Sequence, residues 1–390
     1  MVSRIFDKEE IPTKWSTSIV VPVPKKGDLT DPNNYRGISL IPTMVKLVAK
    51  IVATRLNKED NRVKLLAKEQ AGFCSREECV ACATTLYEIV RRRKLNKQET
   101  WIAFIDFAKA YDKVSQEALL TKLNAAGIRK NYLKLIKGLY KAPKMCVRVG
   151  GELSPVVNYD CGVRQGCPLS PFLFDVYIND IFNNIKGVTV PGLPNVDRLL
   201  PTRVPGLLFA DDLVVLAETP EDMEISLNII SEWDEKFEMS VNAGKCGTMA
   251  INTEKKFTFK IQKNFVPIVE RYTYLGLIFN DKWESSETIN NNKKKTEKAF
   301  FGAYSFLKNN RGYGGELFGM SEIRSKKIQT CGTGKSNSEM ADTENMDCRF
   351  NFKSNVKQIQ HLGYGDKKMD EKIYWVGQNS EKRTIRTILS

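Results

Sequence analysis

Histidine is all but missing from this chain: His361 is the only one in 390 residues. That scarcity excludes most histidine-based nucleases, Ser-His-Asp triads and zinc hydrolases from operating within this polypeptide. Long apolar runs are lacking as well. No stretch reaches the ~20 residues of a membrane-spanning helix. The N-terminus, with Arg4, Asp7, Lys8, Glu9 and Glu10, has no signal-peptide character. The expectation is an intracellular protein with no membrane partner. Regularly paired cysteines are absent too: the 9 present are an odd number without repeating spacing, which argues against a secreted disulfide framework. Cys74, Cys79 and Cys82 cluster but lack a fourth ligand at zinc spacing, so they read as helix-face thiols. No internal repeat is evident.

What the chain does have is positive charge. A formal net charge of +14 and a pI near 9.2 favour a polyanionic partner, nucleic acid first and an acidic membrane face second. With 42% hydrophobic residues there is material for a real core, in one large domain or two to three smaller ones.

The most informative stretch is Leu207-Leu208-Phe209-Ala210-Asp211-Asp212-Leu213-Val214-Val215-Leu216. Two β-prone runs flank adjacent carboxylates, which predicts a hairpin with both aspartates at its tip. Aspartate is also an ordinary turn residue, so the pair alone is weak. Its companion is Trp101–Ile105, a buried-strand run ending at Asp106, after which Phe107–Asp112 turns into a helix expected to run through Leu123. An aspartate at the end of such a strand is costly to bury without counter-charge. Set beside the hairpin in one sheet, it would complete a set of oxygen ligands for hard divalent cations. Asp112 reads as a first-turn helix residue rather than a ligand.

Around these lie further elements. Trp15–Val23 predicts a strand followed by the basic loop Pro24–Asp28, and Met44–Leu56 predicts a helix with Lys46, Lys50 and Arg55 available to phosphates. Gln70-Ala71-Gly72-Phe73 precedes a helix over about Glu77–Lys94 whose closing Arg91-Arg92-Arg93-Lys94 suits either the helix dipole or a phosphate contact. Lys144–Asp160 predicts a hairpin turning at Gly150-Gly151, and Gly162–Pro171 opens a helix running to about Ile185. Gly187–Gly206 reads as irregular, Glu221–Met239 as an amphipathic helix, Val241–Cys246 as a turn placing Lys245 before a short strand, and Tyr272–Leu277 as the end of the sheet-forming region. Thr288–Asn309 is helical and basic; Tyr313–Gly319 is distinctive; from about Thr330 the chain is polar and weakly periodic.

In order, Lys25-Lys26-Gly27-Asp28 through Asn34–Leu40, Gln70–Phe73, Phe104–Asp112, Gly162–Pro171, Phe209–Asp212 and Tyr274-Leu275-Gly276 resemble the sequence blocks of non-LTR (LINE-like) retrotransposon reverse transcriptases. The resemblance covers roughly Ile5–Phe279. It implies an α+β right-hand polymerase: fingers and palm with an antiparallel sheet over 5–279, a partial helical thumb over 286–330, and a divergent tail over 331–390. It implies RNA-directed DNA polymerase activity, extending a DNA primer on an RNA template with dNTPs by two-metal transfer, Mg²⁺ replaceable by Mn²⁺. By motif match Asp106, Asp211 and Asp212 are catalytic and, with the carbonyl of Phe107, hold the metals. Arg36, Tyr111, Gln165, Gly166 and Lys245 would meet the nucleotide, with Tyr111 under the sugar, and Tyr274, Leu275 and Gly276 would grip the primer. A nuclear site of action goes with this family.

There are departures. Cys74 stands where an arginine commonly follows the Gly-Phe, and Cys331 and Cys348 are too few for a zinc knuckle. With one histidine in the tail, no endonuclease is expected, and the end of the chain reads as truncated or frame-shifted. Two other readings fit part of the pattern: an inactive nucleic-acid-binding remnant of such an element, and a nucleotide cyclase, in which the Gln165-Gly166 and Tyr274–Gly276 blocks would be idle.

Overall fold

The computed structural model describes Ile5, Pro12 and residues 15–25, 27–74, 77–192 and 202–309. His361, the Tyr313–Gly319 motif and the tail from Thr330 lie outside the described residues.

In chain order the elements are β1 (Thr17–Pro24), β2 (Tyr35–Leu40), α1 (Thr43–Val63), α2 (Cys79–Leu95), β3 (Thr100–Asp106), α3 (Gln116–Ala125) and α4 (Lys130–Leu139). Then follow β4 (Lys144–Val149), β5 (Glu152–Leu153), β6 (Val157–Asn158), α5 (Ser170–Ile178), β7 (Val188–Val190), β8 (Thr202–Val204), β9 (Gly206–Phe209) and β10 (Asp212–Ala217). Last come α6 (Pro220–Lys236), β11 (Gly247–Ile251), β12 (Lys260–Ile261), β13 (Asn264–Phe265), β14 (Arg271–Tyr274), β15 (Leu277–Asn280) and α7 (Ser286–Asn309). The chain divides into two compact units, one ending its first stretch at Ser285 and the other beginning at Ser286 with α7. Among the described residues no helix is long and apolar enough to cross a membrane.

The first unit is built around β3, the second strand of a four-stranded antiparallel sheet ordered β11-β3-β10-β9. Its side chains alternate between two apolar layers. Trp101, Ala103 and Ile105 join a core with α1, α3, α4, α5 and α6, while Ile102 and Phe104 join a second core with α2, β14 and β15. Covered on both faces, this strand can be apolar throughout rather than alternating. Only its last residue, Asp106, is not buried. A second sheet, ordered β2-β1-β4-β5 with β6 also on β4, pairs β1 with β2 antiparallel and with β4 parallel. The Gly150-Gly151 turn forms as expected, both glycines at positive φ.

Several expectations need correction. The helix after Asp106 is not continuous: a short 3₁₀ turn at Ala110–Lys113 is followed by a fresh start, with the Ser115 side chain capping α3. The cause is competition, because the carbonyls of Tyr111 and Val114 accept from the amides of Val163 and Gly162 instead of from a following helical turn. α5 stops at Ile178 rather than near Ile185. There Asn179 turns its side chain to the exit of α1, accepting from Ala67 N at 2.6 Å and donating to Leu65 O at 3.1 Å. Tyr272–Leu277 does lie in the last strand pair before α7, β14–β15, which is a two-stranded sheet of its own. Part of Gly187–Gly206 is regular, since β7 pairs with β8.

The basic end of α2 is structural in part. Arg93 is buried, donating to Thr100 Oγ1, Thr189 O, Glu99 O and Glu218, and Arg92 is buried against Glu88. Truncating Arg93 takes the donor from the carbonyls of Thr189 and Glu99 and from the Thr100 hydroxyl, while Glu218 keeps Arg203 and Thr189 N, so Arg93→Ala is expected to lower unfolding free energy by about 3 kcal/mol. Arg91→Ala, whose side chain is 52% exposed beside Glu88, should cost less than about 1 kcal/mol, both read from chemical denaturation.

Asp234 on α6 is fully buried, accepting from Gln262 Nε2 at 3.1 Å, and burial pushes its carboxyl up to about 8. An unfolded aspartate titrates near about 3.9, so between these values the native state holds the extra proton and stability falls as pH rises. Asp234→Asn is expected to flatten that fall in denaturation curves from pH 5 to 8 and to exceed the wild type in stability at the upper end.

Candidate active site

Strands β9 and β10 are joined by two residues, Ala210 and Asp211, with Phe209 opposite Asp212. Ala210 is at φ +57° and Asp211 is not at positive φ, the pattern of a type II′ hairpin turn, where glycine is the favoured residue. An alanine held there stores about 1 kcal/mol or more of strain and needs support. The segment Glu69–Gly72 supplies it. Ala71 N donates to Leu208 O and Leu208 N to Glu69 O, each at 2.8 Å, and Gln70 Oε1 accepts from Gly72 N at 2.8 Å and Ala210 N at 3.0 Å. Gly72 is there because nothing larger fits: a Cβ would lie 2.0 Å from Ala210 N. The sequence showed this block's place in the order but not its job, which is to buckle the aspartate-bearing turn.

Asp106 ends β3 directly opposite Asp212 in the antiparallel register, and Asp211 sits in the adjoining turn. The backbone around Asp106 is clamped from the far side: Asn242 N donates to Asp106 O at 2.8 Å, Ala108 N to Ser240 O at 2.7 Å, and Phe107, its side chain buried, bridges Val241. Like charges directly opposite in a ladder repel, and the carboxyls show it. Burial raises Asp106, opposed by the charges of Lys245 and Lys25. Burial also raises Asp211, with Asp106 adding to the rise and a backbone hydrogen bond and Arg36 opposing it. Enclosure by protein, then the charges of Asp211 and Asp106, push Asp212 up to about 6, although its residue surface still meets solvent. Carboxyls so disfavoured as anions are a donor set that a hard cation would relieve. Among the described residues, however, no three His, Cys, Asp or Glu side chains already converge closely enough to hold an ion.

The cationic side comes from two strands and a turn. Lys245 Nζ lies 3.9 Å from Asp106 Oδ2, and Arg36 on β2 is exposed with its charge felt at Asp211. Lys25, just past the end of β1, acts on both Asp106 and Asp112. Lys25 was legible only as part of a basic loop. Gln165 and Gly166 are fixed to the strand carrying Arg36: Ser39 N donates to Gln165 O at 2.6 Å, and a Cβ on Gly166, at φ +112°, would stand 2.8 Å from Ser39 O. Tyr111 stacks on Phe174 at 4.7 Å with its hydroxyl buried and unpartnered among the described residues, and burial, then the charges of Asp175 and Asp211, raise its pKa.

The β14–β15 hairpin turns on Leu275 (φ +48°) and Gly276 (φ +84°) and packs on the sheet through Tyr272, stacked on Phe104 at 4.2 Å. Tyr274 differs from expectation. It is 3% exposed, its hydroxyl 3.6 Å from Cys82 Sγ, so its ring belongs to the core and only the turn is open to a ligand.

Residues 23–279 match the family model described as reverse transcriptase (RNA-dependent DNA polymerase), so the fold is of the right-hand polymerase class. The chain belongs to the reverse transcriptase family. It is similar to the Pol polyprotein of the type-1 retrotransposable element R2 from Popillia japonica, 26% identical over 293 residues covering 72% of this chain and 40% of that protein. The RNA-directed DNA polymerase of the mobile element jockey from Drosophila funebris is 25% identical over 278 residues, 69% of this chain and 29% of the relative. The match thus spans less than half the length of these relatives. Among solved structures, apo telomerase from Candida tropicalis truncated from its C-terminal domain aligns with 70% of this chain and 54% of its own at 14% identity and a TM-score of 0.45.

Gly72→Ala forces a backbone collision beneath the aspartate turn and is expected to cost about 3 kcal/mol or more in thermal or chemical unfolding. Gly276→Ala meets nothing within 4 Å and carries only the left-handed strain, about 1 kcal/mol. Equal losses would show that Gly72 is not the packing constraint.

Proposed function

We propose that this chain is the polymerase part of a non-LTR retrotransposon protein, extending a DNA 3′ end along an RNA template with dNTPs. The observation that carries this reading is the register that sets Asp106 opposite Asp212, with Asp211 beside them and Lys245, Lys25 and Arg36 as the facing cations. In finer terms the β3-centred sheet acts as palm, the β1–β2 region with the Gln165 loop as fingers, and α7 as the start of a thumb. The nucleus, where a chromosomal primer end is found, is the proposed place of action.

The chemistry is transfer of a nucleotidyl group. The primer 3′ oxygen forms a bond to the α-phosphorus, the bond from that phosphorus to the β-phosphate bridging oxygen breaks, and pyrophosphate leaves as the hydroxyl proton goes to solvent or base. Asp106, Asp211, Asp212 and the Phe107 carbonyl are the groups that would hold Mg²⁺ or Mn²⁺. Bound there, the ions would lower the hydroxyl's pKa and neutralise charge on the phosphates. The chain's own cations do the remainder: Arg36 and Lys245 offset triphosphate charge in a loose transition state, which needs no histidine. Tyr111 on Phe174 offers a flat apolar floor for the sugar, Gln165 and Gly166 a backbone surface for the base pair, and the Leu275-Gly276 turn a rest for the primer.

Primer extension on a primed RNA with dNTPs and Mg²⁺ tests this directly. The wild type is expected to extend, and Asp211→Ala to lose about 10³-fold in rate, on the order of 4 kcal/mol, with RNA binding retained. Full activity in the variant would remove the site assignment. RNA binding by the wild type with no incorporation would leave an inactive nucleic-acid-binding remnant.

A further inference from the structure

Away from the aspartates, α3, α4 and the starts of β1 and β4 enclose a groove of about 1640 Å³. Its size already narrows the occupant, since small-molecule sites run to roughly 300–1,000 Å³ and a larger open groove suits a length of polymer. Lys134, Lys137, Lys141 and Lys144 line it against one carboxylate, that of Glu117, and Leu120 and Tyr140 contribute apolar and aromatic lining. Lys137, Lys141 and Lys144 are exposed and form no salt bridge among the described residues. Three such lysines, Lys137, Lys141 and Lys144, gathered along one groove are a phosphate-tracking arrangement.

The groove is separate from the carboxylate site. Thr17, at its edge, is paired in register with Lys144 at the start of β1, whereas Lys25, which acts on Asp106 and Asp112, follows the other end of that strand. Seven residue steps of β-strand put the two ends of β1 about 23 Å apart. The motifs that mark the family do not include Lys137, Lys141 or Lys144, and no step of the proposed chemistry uses them.

We propose that this groove is a second RNA-binding site, holding the phosphate backbone of the template at a distance from the nucleotides being copied. The choice of RNA as the polyanion rests on the polymerase reading; the groove and its charge do not. Backbone contacts of this kind are sequence-tolerant and salt-dependent, and they would keep a long template attached while its end is worked on.

The test is a triple variant, Lys137→Gln, Lys141→Gln and Lys144→Gln, which removes charge from exposed positions and keeps the side-chain stems. Binding of an unprimed single-stranded RNA is measured against salt concentration. Losing three phosphate contacts at about 0.7 each should make the slope of log affinity against log salt shallower by about 2. Affinity at low salt should drop about tenfold or more, with single-nucleotide extension of a primer on a template of one-nucleotide overhang unchanged. An unaltered slope and affinity would overturn the proposal, as would loss of binding to polyglutamate without loss of binding to RNA, which would mark a site for an acidic protein. A wild type that binds RNA through these lysines but incorporates no nucleotide would uphold the groove and remove the polymerase reading.

Discussion

Two aspartates on neighbouring antiparallel strands, Asp106 and Asp212, are held face to face by the register of β3 and β10. Left alone the pair is unfavourable, and burial makes it more so. The register persists because it is fixed elsewhere, by the apolar residues of β3 and β10 locked between two cores, so that slipping by one residue would turn each strand inside out. The stability of the sheet is thus what keeps Asp106 opposite Asp212, with Asp211 in the adjoining turn. Burial first raises all three carboxyls; Lys245 and Lys25 oppose the rise at Asp106 and Arg36 at Asp211, while the two neighbouring carboxylates add to it at Asp212.

Precision in the turn is a separate matter from register. Asp211 is aimed by a two-residue loop whose first residue is in a backbone region that alanine resists. The turn is held by neighbours: the Gln70 side chain takes the Ala210 amide, and Gly72 lets the supporting segment come into backbone contact. On the opposite side, the Gly162–Gly166 segment is tied to Ser39 through the Gln165 carbonyl, and its Gly162 and Val163 amides draw two carbonyls away from what would have been a continuous helix after Asp106. The interrupted helix and the strained turn are therefore linked consequences of one layout, in which loops distant in sequence are fastened by backbone hydrogen bonds around the acidic strand end.

Much of this was legible in advance, and the reason is local. The β3 run, the Asp-Asp hairpin, the Gly150-Gly151 turn and the proline-started α5 each follow from propensities within a few residues. What escaped depended on contacts across long separations. Nothing near Asn179 announces that its amide would cap the exit of α1 and end α5 early, and nothing near Tyr274 says that its ring would be sealed beside Cys82. Lys25 could be read as a basic loop residue, but its closeness to Asp106 depends on β1 pairing with β2 beside the Gln165 loop.

The net charge of +14 also has to be divided by position before it says anything about partners. The densest basic run, Arg91–Lys94, places Arg92 and Arg93 inside the protein, where Glu88, Glu218 and backbone carbonyls surround them, so these guanidiniums fasten α2 and offer nothing to a polyanion. Guanidinium suits that role because its planar fork reaches several acceptors at once. Solvent-facing cations that gather around one place come instead from separate parts of the sequence, Arg36 and Lys245 about the carboxylates and Lys137, Lys141 and Lys144 in the groove beyond. Clustering along the chain and clustering in space are different quantities, and an electrostatic partner responds to the second.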